Sequence, residues 1–308
     1  MAGQILTVLP NMTGVAAGNT ATRELALSGV LQGLLLGFKN GSGGWLTYAQ
    51  IINDVDRIFI TINGNNVYDV TPSFLREFHK FFGPTRVDPP SQKPVYIPLK
   101  PTWWANKLLA NQLGIGMAGL GTGQVVLNVR LKSAAPTLGT GSIEVRAVTT
   151  PLTQTLGAHM TIDPFPFNQA AAGTLDVTTL PLELNVGTLA LGIHSESVGV
   201  IDNITKVMLQ FNDIQQRQEI DPLYMEIFQL LDQGRAPDDT TSSATQTLWI
   251  NLNVDANAVD FVKLQRVQRM VLRLITTGAP LGNFTVYRIG VTGIVPDAGS
   301  LAALPAAA

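Results

Sequence analysis

The chain has 308 residues, above the usual single-domain size of about 100–200, so two modest domains are the better expectation. Only 14% of residues are charged and the formal net charge is -2, which leaves no electrostatic footprint for wrapping nucleic acid. Cysteine is absent, which excludes disulfides and thiolate metal sites, while 45% hydrophobic residues and 29 glycines suit a chain that buries surface in its core or against copies of itself.

In chain order, Met1 to Thr22 reads as a polar N-terminal arm with no secretion-signal pattern. Leu25 to Phe38 is the most apolar stretch, but Ser28 and Gln32 interrupt it and it falls short of the roughly 20 residues that cross a bilayer. It reads as a pair of strands. Asn40-Gly-Ser-Gly-Gly44 is a turn, and Asp54 to Gly64 a strand. Two residues apart on that strand, Asp54 and Asp56 share a face and are candidates for a structural calcium, against the plainer reading of a solvated strand entrance. Thr71-Pro72 starts a helix with proline at its first position, Phe74, Leu75, Phe78, Phe81 and Phe82 form its apolar stripe, Gly83 ends it, and His79 falls on its surface.

Tyr96 to Leu99 is a strand, and Trp103-Trp104 beside Pro101 plug a barrel end or stack on sugars, packing being preferred. Gly114-Ile-Gly-Met-Ala-Gly-Leu-Gly121 superficially resembles a nucleotide-binding loop but precedes a strand, so a flexible surface loop is expected. Val125 to Leu131 alternates, with Leu127, Val129 and Leu131 inward and Asn128 and Arg130 outward. A turn at Thr137 to Gly141 leads to a strand at Ile143 to Val148, and the prolines between Pro151 and Pro166 mark a domain boundary.

The second half repeats the first. Shifted by 149 positions, Val55, Ile58, Ile60 and Ile62 fall on Ile204, Val207, Leu209 and Phe211. Asp221-Pro222 then starts a second helix with Leu223, Ile227, Phe228, Leu230 and Leu231, ended by Gly234. Strands follow at Leu248 to Leu252, Met270 to Ile275 and Phe284 to Ile289, in the order of the first half. Each half is thus a dense run of short strands with one inserted helix, which packs as a sandwich or jelly roll.

Gly44-Trp-Leu-Thr-Tyr-Ala-Gln-Ile before the Asp56 to Gly64 strand, Pro101-Thr-Trp-Trp-Ala-Asn, Leu189-Ala-Leu-Gly-Ile-His-Ser, and the block from Trp249 to Arg273 carry a resemblance over most of residues 25–295. The pattern resembles the major capsid proteins of tailless, membrane-containing bacteriophages of the corticovirus type, in the adenovirus-like double jelly-roll lineage. The resemblance implies an all-β fold of two tandem eight-stranded jelly-roll barrels, each with a short inserted helix. The expected division is an arm at 1–22, a first roll at 23–154, a second at 155–296 and an alanine-rich tail at 297–308. It further implies homotrimers forming pseudo-hexameric capsomers of an icosahedral virion, with penton and minor capsid proteins as neighbours. An internal membrane would lie beneath, touched by the N-terminal arm, and the protein would be made in the host cytoplasm. No direct nucleic-acid contact is implied.

Catalytic signatures are lacking. His79, His159 and His194 are dispersed, with no zinc or copper spacing, and no GxSxG elbow or phosphate-binding loop occurs. Neither catalytic nor cofactor-binding residues are expected, structural calcium at Asp54 and Asp56 excepted. The four Asn-x-Ser/Thr sequons, at Asn11, Asn40, Asn203 and Asn283, are too common a motif to carry weight. The competing expectation is a tandem β-sandwich carbohydrate-binding protein or glycan-processing hydrolase.

Overall fold

The computed structural model describes residues 4–82, 94–103, 110, 113–117, 120, 123–151, 158–180, 186–211, 218–220, 246–252, 262–263 and 270–292. The first half supplies β1 (Ile5–Leu9), β2 (Thr20–Glu24), β3 (Val30–Lys39), β4 (Val55–Ile62), β5 (Asn65–Val70), β6 (Val95–Pro98), β7 (Ile115–Gly116), β8 (Val125–Leu131) and β9 (Ser142–Thr150). The second supplies β10 (His159–Gln169), β11 (Thr174–Val177), β12 (Val186–His194), β13 (Ile204–Phe211), β14 (Gln218–Ile220), β15 (Thr247–Asn251), β16 (Val262–Lys263), β17 (Met270–Thr276) and β18 (Gly282–Thr292).

Pairing order reveals the duplication more fully than the sequence does. The first half forms β1-β9-β3-β6 and β2-β8-β4-β5, and the second β10-β18-β12-β15 and β11-β17-β13-β14. Setting aside β7 and β16, each half places its first, eighth, third and sixth strands in one sheet and its second, seventh, fourth and fifth in the other. Even the extra strands correspond, β7 pairing with β3 and β16 with β12. Each half is an eight-stranded jelly roll.

Inward alternation fills the rolls. Leu34, Leu36, Ile58, Ile60, Leu127, Val129, Val145 and Ala147 occupy the first core, while Leu191, Ile193, Val207, Leu209, Leu272, Leu274 and Val286 occupy the second. The inward positions read in β8 are buried as expected. The rolls are joined where β5 meets β10 in parallel at Tyr68 and Ile162, so that one nine-stranded sheet runs through both.

Several expectations are corrected. The supposed arm supplies β1 and β2, paired with β9 and β8, so residues 5–24 belong to the first roll. Leu25 to Phe38 does not form a mutually paired hairpin. Leu25 extends the β2–β8 ladder through its amide to Val125, and the chain then turns at Gly29 (φ +80°) into β3 in the opposite sheet. Gly29 is required there, since a Cβ would lie 2.2 Å from the Thr150 carbonyl oxygen.

Of the expected boundary, residues 152–157 lie outside the described residues, but Pro164 and Pro166 sit within β10. They are tolerated because only the single bridge at Ile162 occupies the far edge of that strand, and the two share one parity along it. The segment 113–117 is buried rather than a surface loop. Gly114 brings the chain so close to Leu31 that a Cβ would lie 2.5 Å from its carbonyl oxygen.

Two helices belong to the first roll, not one. The first, α1 (Tyr48–Asp54), starts with a capping box in which Thr47 and Gln50 exchange side-chain-to-backbone hydrogen bonds. The second, α2 (Pro72–Phe82), is the expected helix, with the Thr71 hydroxyl accepting from the Phe74 amide at 3.3 Å. Among the described residues, no helix is long and apolar enough to cross a membrane. The expected second-half helix, with Gly83, Gly234 and the alanine-rich tail, lies outside the described residues.

Candidate functional site at the junction of the rolls

The most elaborate side-chain arrangement lies where α2, carried by the first roll, meets the outer face of the β10-β18-β12-β15 sheet of the second. Phe74 is fully buried and stacks on Tyr287 with 3.6 Å between ring centroids and 13° between planes. Trp249 lies 5.4 Å from Phe74 and stacks on Phe81 at 5.0 Å. Phe78 and Phe82 close the cluster. Gly192 makes room, because a Cβ there would meet Trp249 at 2.9 Å and Phe74 at 3.0 Å. These rings exclude water between the rolls, each aromatic pair adding about 0.5–1.5 kcal/mol beyond its area burial.

A polar lock sits at the start of α2. The Ser73 hydroxyl donates to Glu196 Oε2 at 2.6 Å, so its lone pairs receive His194 Nε2 at 3.1 Å, and His194 Nδ1 lies 2.8 Å from the Thr247 hydroxyl. Burial raises the Glu196 carboxyl, but hydrogen bonds with His194 and Ser73 and the His194 charge outweigh it and hold it at about 2. Burial pushes the Tyr287 hydroxyl, which meets Thr71, up to about 12.

A serine beside a histidine can be a nucleophile–base pair. Here the Ser73 proton is directed at Glu196 and not at the ring. Ser73 and His194 are also only 1% and 2% exposed. The arrangement fastens α2 to the second roll.

A recess lined by Thr20, Arg57, Phe59, Asn66, Asp69 and Arg130 has a volume of about 150 Å³, below the roughly 300–1,000 Å³ of small-molecule sites. Arg57 grips Asp69 with two hydrogen bonds, and burial raises the Asp69 carboxyl while that grip pulls it partly back. Within the second roll, Arg288 is 1% exposed, pairs with Asp163 at 2.8 Å and lies over the Phe165 ring at 5.6 Å.

The two carboxylates singled out in the sequence are not brought together. Asp54 ends α1 rather than lying on the strand, and its buried Oδ2 accepts from the Thr137 and Leu138 amides at 2.8 and 2.5 Å. Asp56 instead pairs with Arg130 at 3.5 Å. Among the described residues no three His, Cys, Asp or Glu side chains cluster as metal ligands would. Trp103 packs on Phe82 at 4.3 Å, in keeping with the packing preference, while Trp104 lies outside the described residues. His79 is not a free surface residue, since its Nε2 donates to the Tyr96 carbonyl at 2.6 Å and burial lowers its pKa. The partnership of Ser73, His194 and Glu196 was invisible in sequence, because their segments are 121 and 123 positions apart.

Residues 6–150, just under half of the chain, match the family model described as viral coat protein P2 N-terminal domain. The major capsid protein P2 from bacteriophage PM2 is similar with a TM-score of 0.72 at 16% identity, over 94% of this chain and 97% of that one. The atomic structure of Sulfolobus turreted icosahedral virus gives 0.67 at 10% identity over 98% and 94%, and the PBCV-1 virus capsid 0.61 at 11% over 94% and 94%. No curated protein matches the chain by sequence. These matches are to viral coat and capsid proteins. The chain is a double jelly roll, the fold of the viral capsid proteins it resembles, and residues 6–150 carry the match to the viral coat protein P2 N-terminal domain.

Proposed function

We propose that this chain is the major capsid protein of an icosahedral virus and trimerises into pseudo-hexameric capsomers that tile the shell over an internal membrane. The observation that carries the reading is the pair of topologically identical rolls set side by side through one shared sheet. Three such chains supply six near-equivalent barrels, which close as a hexagon does. The family match of residues 6–150 gives the viral assignment its support. Neighbouring capsomers, penton proteins and minor capsid proteins are the partners this role requires.

Sedimentation velocity of the purified full chain tests it, with a trimer expected at micromolar concentration. A monomer whose sedimentation is indifferent to concentration overturns the assembly reading.

A further inference from the structure

We infer that the Asn63-Gly64 turn, which joins β4 to β5, is a self-modifying site: the Gly64 backbone nitrogen displaces the Asn63 carboxamide nitrogen, and the isoaspartate that results loosens the seam between the rolls. The inference stands apart from the assembly reading, since it concerns the chemistry of one turn within a single chain.

Asparagine before glycine cyclises readily, because glycine has no Cβ to obstruct the approach of its own nitrogen to the preceding side chain. The sequence holds two such pairs, Asn40-Gly41 and Asn63-Gly64. In the reaction the glycine amide nitrogen attacks the asparagine Cγ, and the new C–N bond closes a succinimide ring. The carboxamide nitrogen leaves as ammonia, taking the proton that the amide gives up. Water then opens one of the two ring carbonyls. Opening at the side-chain carbonyl leaves aspartate, and opening at the main-chain carbonyl leaves isoaspartate, whose backbone is one carbon longer.

The structure separates the two pairs. Asn40 is half-buried, and its Oδ1 accepts from the Ser42 amide at 3.1 Å, the Ser42 hydroxyl at 2.9 Å and the Gly44 amide at 2.8 Å. Each ordinary hydrogen bond that must first be released holds the reaction back roughly fivefold. Gly41 is also packed, since a Cβ there would lie 2.8 Å from the Thr140 hydroxyl. Asn63 and Gly64 are both exposed. Among the described residues the Asn63 carboxamide and the Gly64 amide make no hydrogen bond, and nothing lies within 4 Å of a Cβ built on Gly64. The Asn63 amide remains tied to the Gln124 carbonyl at 2.8 Å, so the residue is held at its nitrogen while its carboxamide swings freely. The ladder behind the turn shifts register between Ile60 and Thr61, leaving the pairs Thr61 with Asn66 and Ile62 with Asn65 to hold the tip. Local opening of so short an end gives the backbone the rotation that ring closure needs.

The position of the turn gives the modification its consequence. Asn63 and Gly64 both have positive φ, +52° and +82°, the two-residue connection whose twist matches the strands it joins. An extra backbone carbon destroys that match and pushes β5 out of register with β4. Strand β5 is the one that meets β10 at Tyr68 and Ile162, and Tyr68 is set opposite Ile60 in β4. Two residues beyond Tyr68 the chain ends β5 and enters α2 through Thr71. Slippage at the turn therefore reaches the strand that carries the seam and leads into the junction helix.

Trypsin places the two pairs in separate peptides, Asn40 to Arg57 and Ile58 to Arg76. The purified full chain, aged at mildly alkaline pH and mapped by mass spectrometry with isoaspartyl methyltransferase labelling, should gain isoaspartate in the second peptide roughly tenfold faster than in the first. In the guanidinium-unfolded chain the two rates should converge. Equal rates in the folded chain, or faster conversion at Asn40, overturn the site. In the aged chain, amide hydrogen exchange of peptides spanning β5 and β10 should quicken roughly fivefold, the equivalent of one ordinary hydrogen bond lost. Asn63→Asp, which carries the charge without the extra carbon, should exchange as the fresh chain does. Unchanged exchange in a chain converted at Asn63, or equal quickening in Asn63→Asp, overturns the effect on the seam.

Discussion

Truncating Phe74 to alanine tests the junction directly. The side chain has no exposed surface, stacks on Tyr287, and touches Trp249 and His194 with edge and tilted contacts. A buried phenylalanine cut to alanine costs about 3–5 kcal/mol through lost transfer energy and the cavity left behind. The upper half of that range applies, because the facing rings sit on rigid strands β15 and β18 and cannot collapse into the void. At about 2–4 °C per kcal/mol for a chain of this class, the melting temperature should fall by roughly 10 °C. Phe74 belongs to the first roll and its ring partners to the second, so the loss falls on the coupling between them. Guanidinium unfolding should separate into two transitions, followed by near-ultraviolet circular dichroism and tryptophan fluorescence. A single transition weakened by less than about 1 kcal/mol, the range of ordinary surface changes, would refute the claim that this cluster holds the rolls together.

Removing Asp163 as Asp163→Ala takes the carboxylate from beside a guanidinium 1% exposed and should cost about 3–5 kcal/mol. Adding Arg288→Met should restore most of it, and a chemical-denaturation double-mutant cycle measures both. Asp54→Ala strips the acceptor from two backbone amides and should cost about 2–3 kcal/mol. Calcium chelation should leave the melting temperature of the natural chain unchanged, and a chelation-sensitive melt would show that the carboxylate serves a cation instead. Acid should destabilise the fold: burial lowers His159 from 6.5 to about 4 and moves His79 the same way. The unfolded chain therefore takes up protons below about pH 6.5 that the folded chain refuses, and stability falls between pH 6.5 and 4, by about 3 kcal/mol for His159. A melting temperature flat over that window, measured at constant ionic strength, would contradict this.

Much of the architecture was written locally. Period-two alternation in β4, β8 and β17, the proline at the first turn of α2 and the offset of 149 between halves depend on neighbours in sequence, so they were legible without a fold. The capping box of Thr47 and Gln50 was equally local and marks α1, although the flanking strand pattern hid it. The resemblance added the eight-stranded jelly roll, which the strand pattern left undivided from other sandwiches.

Other decisions belong to the tertiary structure. β1 and β2 are five residues each, and their identity comes from partners more than a hundred positions away on β9 and β8. Asp54 looked like a strand carboxylate until the helix placed it under the loop at 137–138. The seam at Tyr68 and Ile162, the lock of Ser73, His194 and Glu196, and the stack of Phe74 on Tyr287 each join segments with no shared local signal. Sequence periodicity specifies which face of an element is apolar, because that follows from the backbone repeat. Which surface meets that face is decided by long-range register, and register is settled only when distant strands compete for the same edge.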